Sequence, residues 1–135
     1  MLKVELSLPR DASFVPLMRH VANYLLHHMH VPQEAVDDIE VVVSEACANV
    51  VRHAEGVNDY SVSLSIYERG CEVVVADLGA DFSLPAGGEA APEAETGRGL
   101  QLMRALVDDL QFLREADQTR VHLRKQWEPL ALPTA

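Results

Sequence analysis

The sequence has few cysteines and no long apolar run, and both shortages exclude classes of protein. No stretch approaches the ~20 apolar residues that span a bilayer, and the start of the chain lacks an apolar segment followed by a small-residue cleavage site. Cys47 and Cys71 are the two cysteines, and both lie inside apolar runs and not in a metal-type pair. We therefore expect a soluble cytoplasmic protein with no membrane partner and with buried, reduced thiols.

Basic residues are also scarce. Eleven Lys and Arg against 21 Asp and Glu give a formal net charge of -10 at pH 7. This charge repels a phosphate backbone, so the composition argues against direct nucleic-acid binding. A nucleotide would have to be held by a local site and not by overall charge.

The length predicts one domain. A chain of 135 residues with 48% hydrophobic content can build one core but not two well-buried ones. We expect a single domain over residues 1–127 and a flexible C-terminal tail over 128–135.

Three segments space their apolar residues as amphipathic helices do, and the second has the strongest stripe. They run from a cap at Asp11 or Ser13 to about His30, from Gln33 to about Glu55, and from Gly97 to Asp109. Five shorter segments have the apolar pattern of strands: Val4–Leu8, Tyr60–Tyr67, Cys71–Asp77, Leu110–Arg114 and Thr119–Lys125. Short turns join neighbouring strands, which predicts an α+β fold with a mostly antiparallel sheet and its helices on one face.

The second helix carries a row of polar residues beside its apolar stripe. Glu45, Asn49 and His53 are each four residues apart, so they line up along one side. Val41 and Val42 lie on that same side, where a solvated helix would prefer charge, so we expect something to cover part of it. The alternative is that the three polar residues are ordinary surface residues.

Two further segments could complete a site. Asp77 ends an apolar strand, where its carboxylate can accept a hydrogen bond from an exocyclic amine, and Gly79 permits close approach of a flat ring. Gly97 and Gly99 flank Arg98 at the predicted start of the third helix, where free N–H groups attract phosphate. Taken alone, the Asp-x-Gly segment is better explained as a common turn, and the Gly-x-Gly segment is weak evidence because a helix start that needs flexible dihedrals looks the same.

Taken in order, these segments resemble the N box and the two glycine boxes of the GHKL ATPases, the superfamily of gyrase, Hsp90-type chaperones, histidine kinases and mismatch-repair ATPases. The strings are EACANVVRHA at 45–54, DLG at 77–79 and GRGL at 97–100. The first string and the small size resemble, more narrowly, the anti-sigma-factor serine/threonine protein kinases of bacterial partner-switching systems. The resemblance implies the Bergerat ATP-binding fold, a two-layer sandwich with a mixed, mostly antiparallel sheet.

The resemblance also implies a site for ATP and Mg²⁺. Asn49 would coordinate the metal, and Glu45 would be the catalytic base that accepts the proton of a partner's serine. Asp77 would recognise the adenine amine, and Gly79 would make room for the base. The phosphates would be held by Thr96, Gly97, Arg98, Gly99 and Leu100, with Leu84–Glu95 as a lid.

Three positions qualify this assignment. His53 occupies the position of the motif's histidine, where packing and helix ending are alternatives to a nucleotide contact. Asp81 replaces a glycine that many relatives have, and an acidic residue near phosphates is unfavourable unless it points away. Glu55 replaces the common aromatic residue after His-Ala.

Two functions are compatible with these residues. The first is a protein kinase that phosphorylates an anti-sigma-factor antagonist and also binds a sigma factor or analogous regulator. The alternative is a nucleotide-gated binding module that sequesters such a regulator without significant turnover. The resemblance further implies a possible homodimer. A metal site at His27, His28 and His30 is not favoured, because no cysteine or carboxylate completes a ligand set.

Overall fold

The computed structural model describes residues 1–53, 59–78, 95–115 and 118–129, and these contain three helices and five strands. In chain order the elements are β1 (Leu2–Leu8), α1 (Phe14–His28), α2 (Gln33–His53), β2 (Tyr60–Ile66), β3 (Gly70–Leu78), α3 (Glu95–Leu106), β4 (Asp109–Glu115) and β5 (Gln118–Gln126). Most of the predicted loop after Leu78 and most of the predicted tail lie outside the described residues, as do Ala54 and Glu55.

The five strands form one sheet in the order β1-β2-β3-β5-β4, and each neighbouring pair is antiparallel. Alternate residues of β2, such as Val62 and Leu64, are buried under the helices, while Ser61 and Ser63 are half-buried. The prediction of an α+β fold with a mostly antiparallel sheet is confirmed.

Helix α2 supplies much of the core. Its predicted apolar stripe is buried because these side chains recur every three or four residues and so face the sheet together. The buried members are Val36, Ile39, Val43, Ala46, Cys47 and Val50. Burial also raises the pKa of the Cys47 thiol to about 12 and that of Cys71 to about 12, so both are neutral thiols at physiological pH. The expected burial of both cysteines is confirmed.

Hydrogen bonds lie at both ends of helix α1. Just before its start the Ser13 N–H donates to Asp11 Oδ1 over 2.9 Å, and among the described residues the N-cap residue Ser13 makes no side-chain capping hydrogen bond. At its end the Val31 N–H donates to the Leu26 carbonyl over 3.1 Å. His30 lies between them with a φ of 59°, the left-handed conformation that ends many helices and that glycine adopts most easily.

The predicted limits of the third helix were wrong at both ends. The helix begins at Glu95, two residues before Gly97, and ends at Leu106, three residues before Asp109. It stops there because the Asp108 N–H donates to the Arg124 carbonyl over 2.9 Å, which brings the chain into the sheet. Pairing across the sheet thus decides where this helix ends.

We predict that His30→Gly raises the free energy of unfolding by about 0.5–1 kcal/mol, because glycine adopts the left-handed conformation without a Cβ clash. Urea denaturation followed by circular dichroism measures the change. His20→Gly is the matched control, since His20 is exposed in the interior of α1. There the same substitution should lower stability by a few tenths of a kcal/mol. Equal losses in the two variants would contradict the role given to His30.

Candidate functional site

The polar row of α2 contains a buried amide. Asn49 is 3% exposed, and its Oδ1 has no hydrogen-bond partner among the described residues. A buried oxygen without a partner carries a desolvation penalty that a ligand can remove. Oxygen is also the ligand atom that Mg²⁺ prefers, so Asn49 fits the metal implied by the sequence motif.

Glu45 lies one turn before Asn49 and contacts the third helix. A methyl group placed on Gly99 would lie only 2.6 Å from Glu45 Oε2, so α3 approaches the carboxylate at a position without a side chain. Glu45 Oε2 also lies 3.9 Å from Arg52 Nη2, and both side chains are 33% exposed. The carboxylate therefore lies near the start of α3 and is accessible from solvent.

The hydrophobic part of the same helix side is only partly covered. The prediction that Val41 and Val42 both lie on the polar side was wrong for Val42, which is buried in the hydrophobic core, whereas Val41 is 38% exposed. His53 is the last residue of α2, and its side chain lies outside the described part of the chain.

Asp77 lies at the end of β3 and is almost completely buried. The sheet register places Leu8, Tyr60, Asp77 and Thr119 side by side across four strands. Asp77 Oδ1 forms an ion pair with Nη2 of Arg10, which follows β1. Their side chains are 1% and 6% exposed respectively. The second oxygen, Oδ2, has no hydrogen-bond partner among the described residues.

The hydroxyl of Tyr60 interacts with this ion pair through Arg10. Burial raises the pKa of the Tyr60 hydroxyl well above its usual value, and nearby Cys47 raises it further. Tyr60 and Asp59 in turn interact electrostatically with Arg10, where both raise the pKa that burial lowers. At neutral pH the hydroxyl of Tyr60 is therefore an uncharged neighbour of Arg10, and the Cys47 thiol beside Tyr60 is uncharged as well.

The second glycine box lies inside α3 and not before it. Thr96, Gly97 and Arg98 belong to the first turn of the helix, and the side chains of Thr96 and Arg98 are outside the described set. Gly99 and Leu100 follow and are both buried. The first turn of any helix has N–H groups without intrahelical partners, and phosphate binding at this one stays a prediction.

The structure brings some of the predicted residues together. Glu45 meets Gly99, and Asn49 lies one turn further along the same helix. Gly79, Asp81 and residues 84–94 of the predicted lid lie outside the described residues, while Glu95 begins α3.

Arg10 was missed in the sequence analysis. One signal was available: a carboxylate that ends a continuously apolar strand is expected to be buried and therefore needs a cation or several donors. The sequence does not identify this cation, because Arg10 and Asp77 are 67 positions apart.

Other candidate features are absent from the described residues. Within them, no group of three or more His, Cys, Asp or Glu side chains is arranged to hold a metal ion. His27 instead contacts the Asn23 carbonyl and Gln33 Oε1, at 2.9 and 2.8 Å. No helix in those ranges combines the length and apolar character needed to cross a membrane.

Comparison with known families identifies this arrangement. The sequence model of the family described as histidine kinase-like ATPase domain matches residues 8–125. The chain belongs to that family. The predicted relationship to the GHKL ATPases is confirmed.

Curated relatives of this ATPase domain carry the name serine-protein kinase RsbW. The protein from Bacillus thuringiensis (strain Al Hakam) is 30% identical over 133 residues, covering 87% of this chain and 81% of the relative. The protein from Bacillus mycoides (strain KBAB4) is 29% identical over 129 residues, with the same shares of each chain. The predicted resemblance to anti-sigma-factor kinases is confirmed.

Solved structures show the same fold. The RsbU and RsbW domains of a Mycobacterium tuberculosis protein align with a TM-score of 0.74 and 17% identity, covering 99% of this chain. This chain spans about a third of that protein, 35%. A structure of the SiaB-SiaC complex from Pseudomonas aeruginosa aligns with a TM-score of 0.66 and 16% identity, covering 90% of this chain and 87% of that one.

We predict that Asn49→Leu stabilises the nucleotide-free protein, because it removes the buried oxygen that has no partner. Asn23→Leu is the matched control, since Asn23 Oδ1 already contacts His27 Nδ1 at 3.1 Å. Leucine has a higher helix propensity than asparagine at both positions. Subtracting the stability change of Asn23→Leu from that of Asn49→Leu therefore cancels this contribution. In urea denaturation, the change in the free energy of unfolding caused by Asn49→Leu should be about 1 kcal/mol more stabilising than the change caused by Asn23→Leu. An Asn49→Leu protein less stable than the wild type would show that Asn49 is a structural residue.

Proposed function

We propose that this chain is a Mg-ATP-dependent serine/threonine protein kinase and anti-sigma factor of a bacterial partner-switching system. The observation that carries the proposal is the contact between the Glu45 carboxylate and Gly99 of α3, with the buried Asn49 oxygen one helical turn away. A base, a metal ligand and an anion-binding helix start are the parts that phosphoryl transfer needs close together. Membership of an ATPase domain family and relatives named serine-protein kinase support it.

Nucleotide binding is assigned to residues on three elements. Asn49 Oδ1 would coordinate Mg²⁺, which when bound neutralises negative charge on the phosphates. Asp77 Oδ2 would accept a hydrogen bond from the adenine amine, next to Gly79. The phosphates would lie at the first turn of α3, against Thr96, Gly97, Arg98, Gly99 and Leu100, with His53 nearby at the end of α2.

Glu45 would act on the phosphate acceptor. As a partner's serine oxygen forms a bond to the γ-phosphorus, ADP leaves with the electrons of the broken P–O bond and the serine proton passes to Glu45 Oε2. The partial exposure of this carboxylate is consistent with a macromolecular substrate, because the serine must arrive from solvent on another protein. We assign that partner as an anti-sigma-factor antagonist, and the sigma factor or analogous regulator as a second partner.

The alternative function, a nucleotide-gated binding module without significant turnover, is favoured by one observation. Arg52 Nη2 lies 3.9 Å from Glu45 Oε2, so this carboxylate has an ion-pair partner on its own helix and need not serve as a base. Both side chains are a third exposed, so solvent screens this interaction strongly. The kinase therefore remains the first assignment.

We predict that Glu45→Gln retains nucleotide binding within about threefold but lowers phosphotransfer by about 10²–10⁴-fold, the usual contribution of a general base. Transfer of label from γ-³²P-ATP to candidate antagonists encoded near this chain measures the rate, and calorimetry with Mg-ADP measures binding. Glu34→Gln is the matched control on the exposed first turn of α2 and should change neither value.

Two results would count against the kinase. Undiminished label transfer by Glu45→Gln would remove Glu45 as the base. Wild-type protein that binds Mg-ADP but labels no serine or threonine in any candidate antagonist would favour the gated binding module.

A further inference from the structure

We propose that Arg10 is a positioning residue that keeps Asp77 an acceptor of hydrogen bonds only, and that it thereby selects adenine over purines with a carbonyl at position 6. The inference rests on the proposed nucleotide site. It begins from the ion pair between Arg10 Nη2 and Asp77 Oδ1, whose partners come from the end of β1 and the end of β3.

The geometry leaves one carboxylate oxygen for a ligand. Arg10 takes Oδ1, while Oδ2 is buried and has no hydrogen-bond partner among the described residues. A carboxylate held at one oxygen cannot rotate freely, so its other oxygen presents its lone pairs in a fixed direction. The pair therefore orients the acceptor that the adenine amine would meet.

Burial makes the pair persistent. Both side chains are excluded from water, so separating them would leave two uncompensated charges in the interior. This argues against Arg10 as a plug that nucleotide displaces. Arginine also stays protonated under all physiological conditions, so the charge beside Asp77 is constant.

The other groups around the pair do not replace this charge. Asp59 and Tyr60 on the β2 side act on Arg10, and Tyr60 is a neutral hydroxyl. On α2 the Cys47 thiol, which interacts with Tyr60, is neutral, and on β5 the backbone of Thr119 lies opposite Asp77. Among the described residues, the ion pair of Asp77 is with Arg10.

The protonation state of Asp77 decides which purine fits. An ionised carboxylate accepts from the 6-amino group of ATP but faces an acceptor in the 6-carbonyl of ITP. A protonated carboxyl group could donate a hydrogen bond to that carbonyl and would reduce the preference for ATP over ITP. Because a guanidinium favours the ionised form of a neighbouring carboxylate, Arg10 enforces the preference for ATP.

The first measurement uses the wild-type chain. Calorimetric titration with Mg-ATP and Mg-ITP at several values between about pH 6 and 8 gives the ratio of the two affinities. Proton uptake by the γ-phosphate is common to both nucleotides and cancels in the ratio. We expect ATP to bind at least about tenfold more tightly, with a ratio constant within about twofold over this range.

The second measurement uses variants of Arg10. Arg10→Gln should weaken ATP binding about tenfold or more and reduce the ATP:ITP ratio to about threefold or less. Its ratio should rise with pH, because Asp77 loses its proton as pH increases. Arg10→Lys keeps the cation and should retain the wild-type preference. Arg69→Gln removes an equal charge from an exposed position beside the β2–β3 turn and should change neither quantity.

The outcomes separate this inference from the proposed function. Wild-type binding of ATP together with an unchanged ratio in Arg10→Gln would overturn the inference alone. No nucleotide binding by the wild type would overturn both. If circular dichroism shows that Arg10→Gln is unfolded, the wild-type pH series and the Arg10→Lys variant test the inference instead. A wild-type ATP:ITP affinity ratio that falls towards pH 6 would overturn the inference. Loss of the preference for ATP in Arg10→Lys would also overturn it.

Discussion

A buried ion pair at one end of the sheet is the interaction on which the candidate site depends. Asp77 lies in the interior at the end of β3, where an isolated carboxylate would be strongly unfavourable, and Arg10 compensates its charge. Removing one partner of such a pair typically costs about 3–5 kcal/mol. The register of β1, β2 and β3 must therefore be kept, because it brings Leu8, Tyr60 and Asp77 to the same row. The fold and the site share this constraint.

Helix α2 meets two requirements that conflict at one residue. Its apolar stripe packs against the sheet, and in the proposed function its polar row remains available to a ligand. Asn49 lies at the boundary, where it is buried almost as deeply as the core yet has an oxygen without a partner. A purely structural helix would place an apolar residue there. Such local losses of stability are what a binding site requires, since groups satisfied within the protein cannot also bind a ligand.

Local patterns in the sequence predicted most of the helices and strands, whereas contacts between distant segments were not predictable. The stripe of α2 and the alternation of β2 depend on neighbours a few residues away, and both were correct. The end of α3 was wrong because Asp108 pairs with Arg124 on another strand. The partner of Asp77 was missed for the same reason, since nothing near Asp77 in the sequence identifies Arg10.

If the proposed function is correct, the contact between α2 and α3 would allow catalysis and gated binding to coexist in one domain. Gly99 leaves no side chain between the α3 backbone and Glu45, so the position of α3 limits where the carboxylate can lie. In the proposed function the same helix start binds the phosphates. A nucleotide that shifts α3 would then shift the base as well, without any change in the buried Arg10–Asp77 pair. The Arg10–Asp77 pair would recognise the purine, while the position of Glu45 relative to Gly99 would depend on which phosphates are bound.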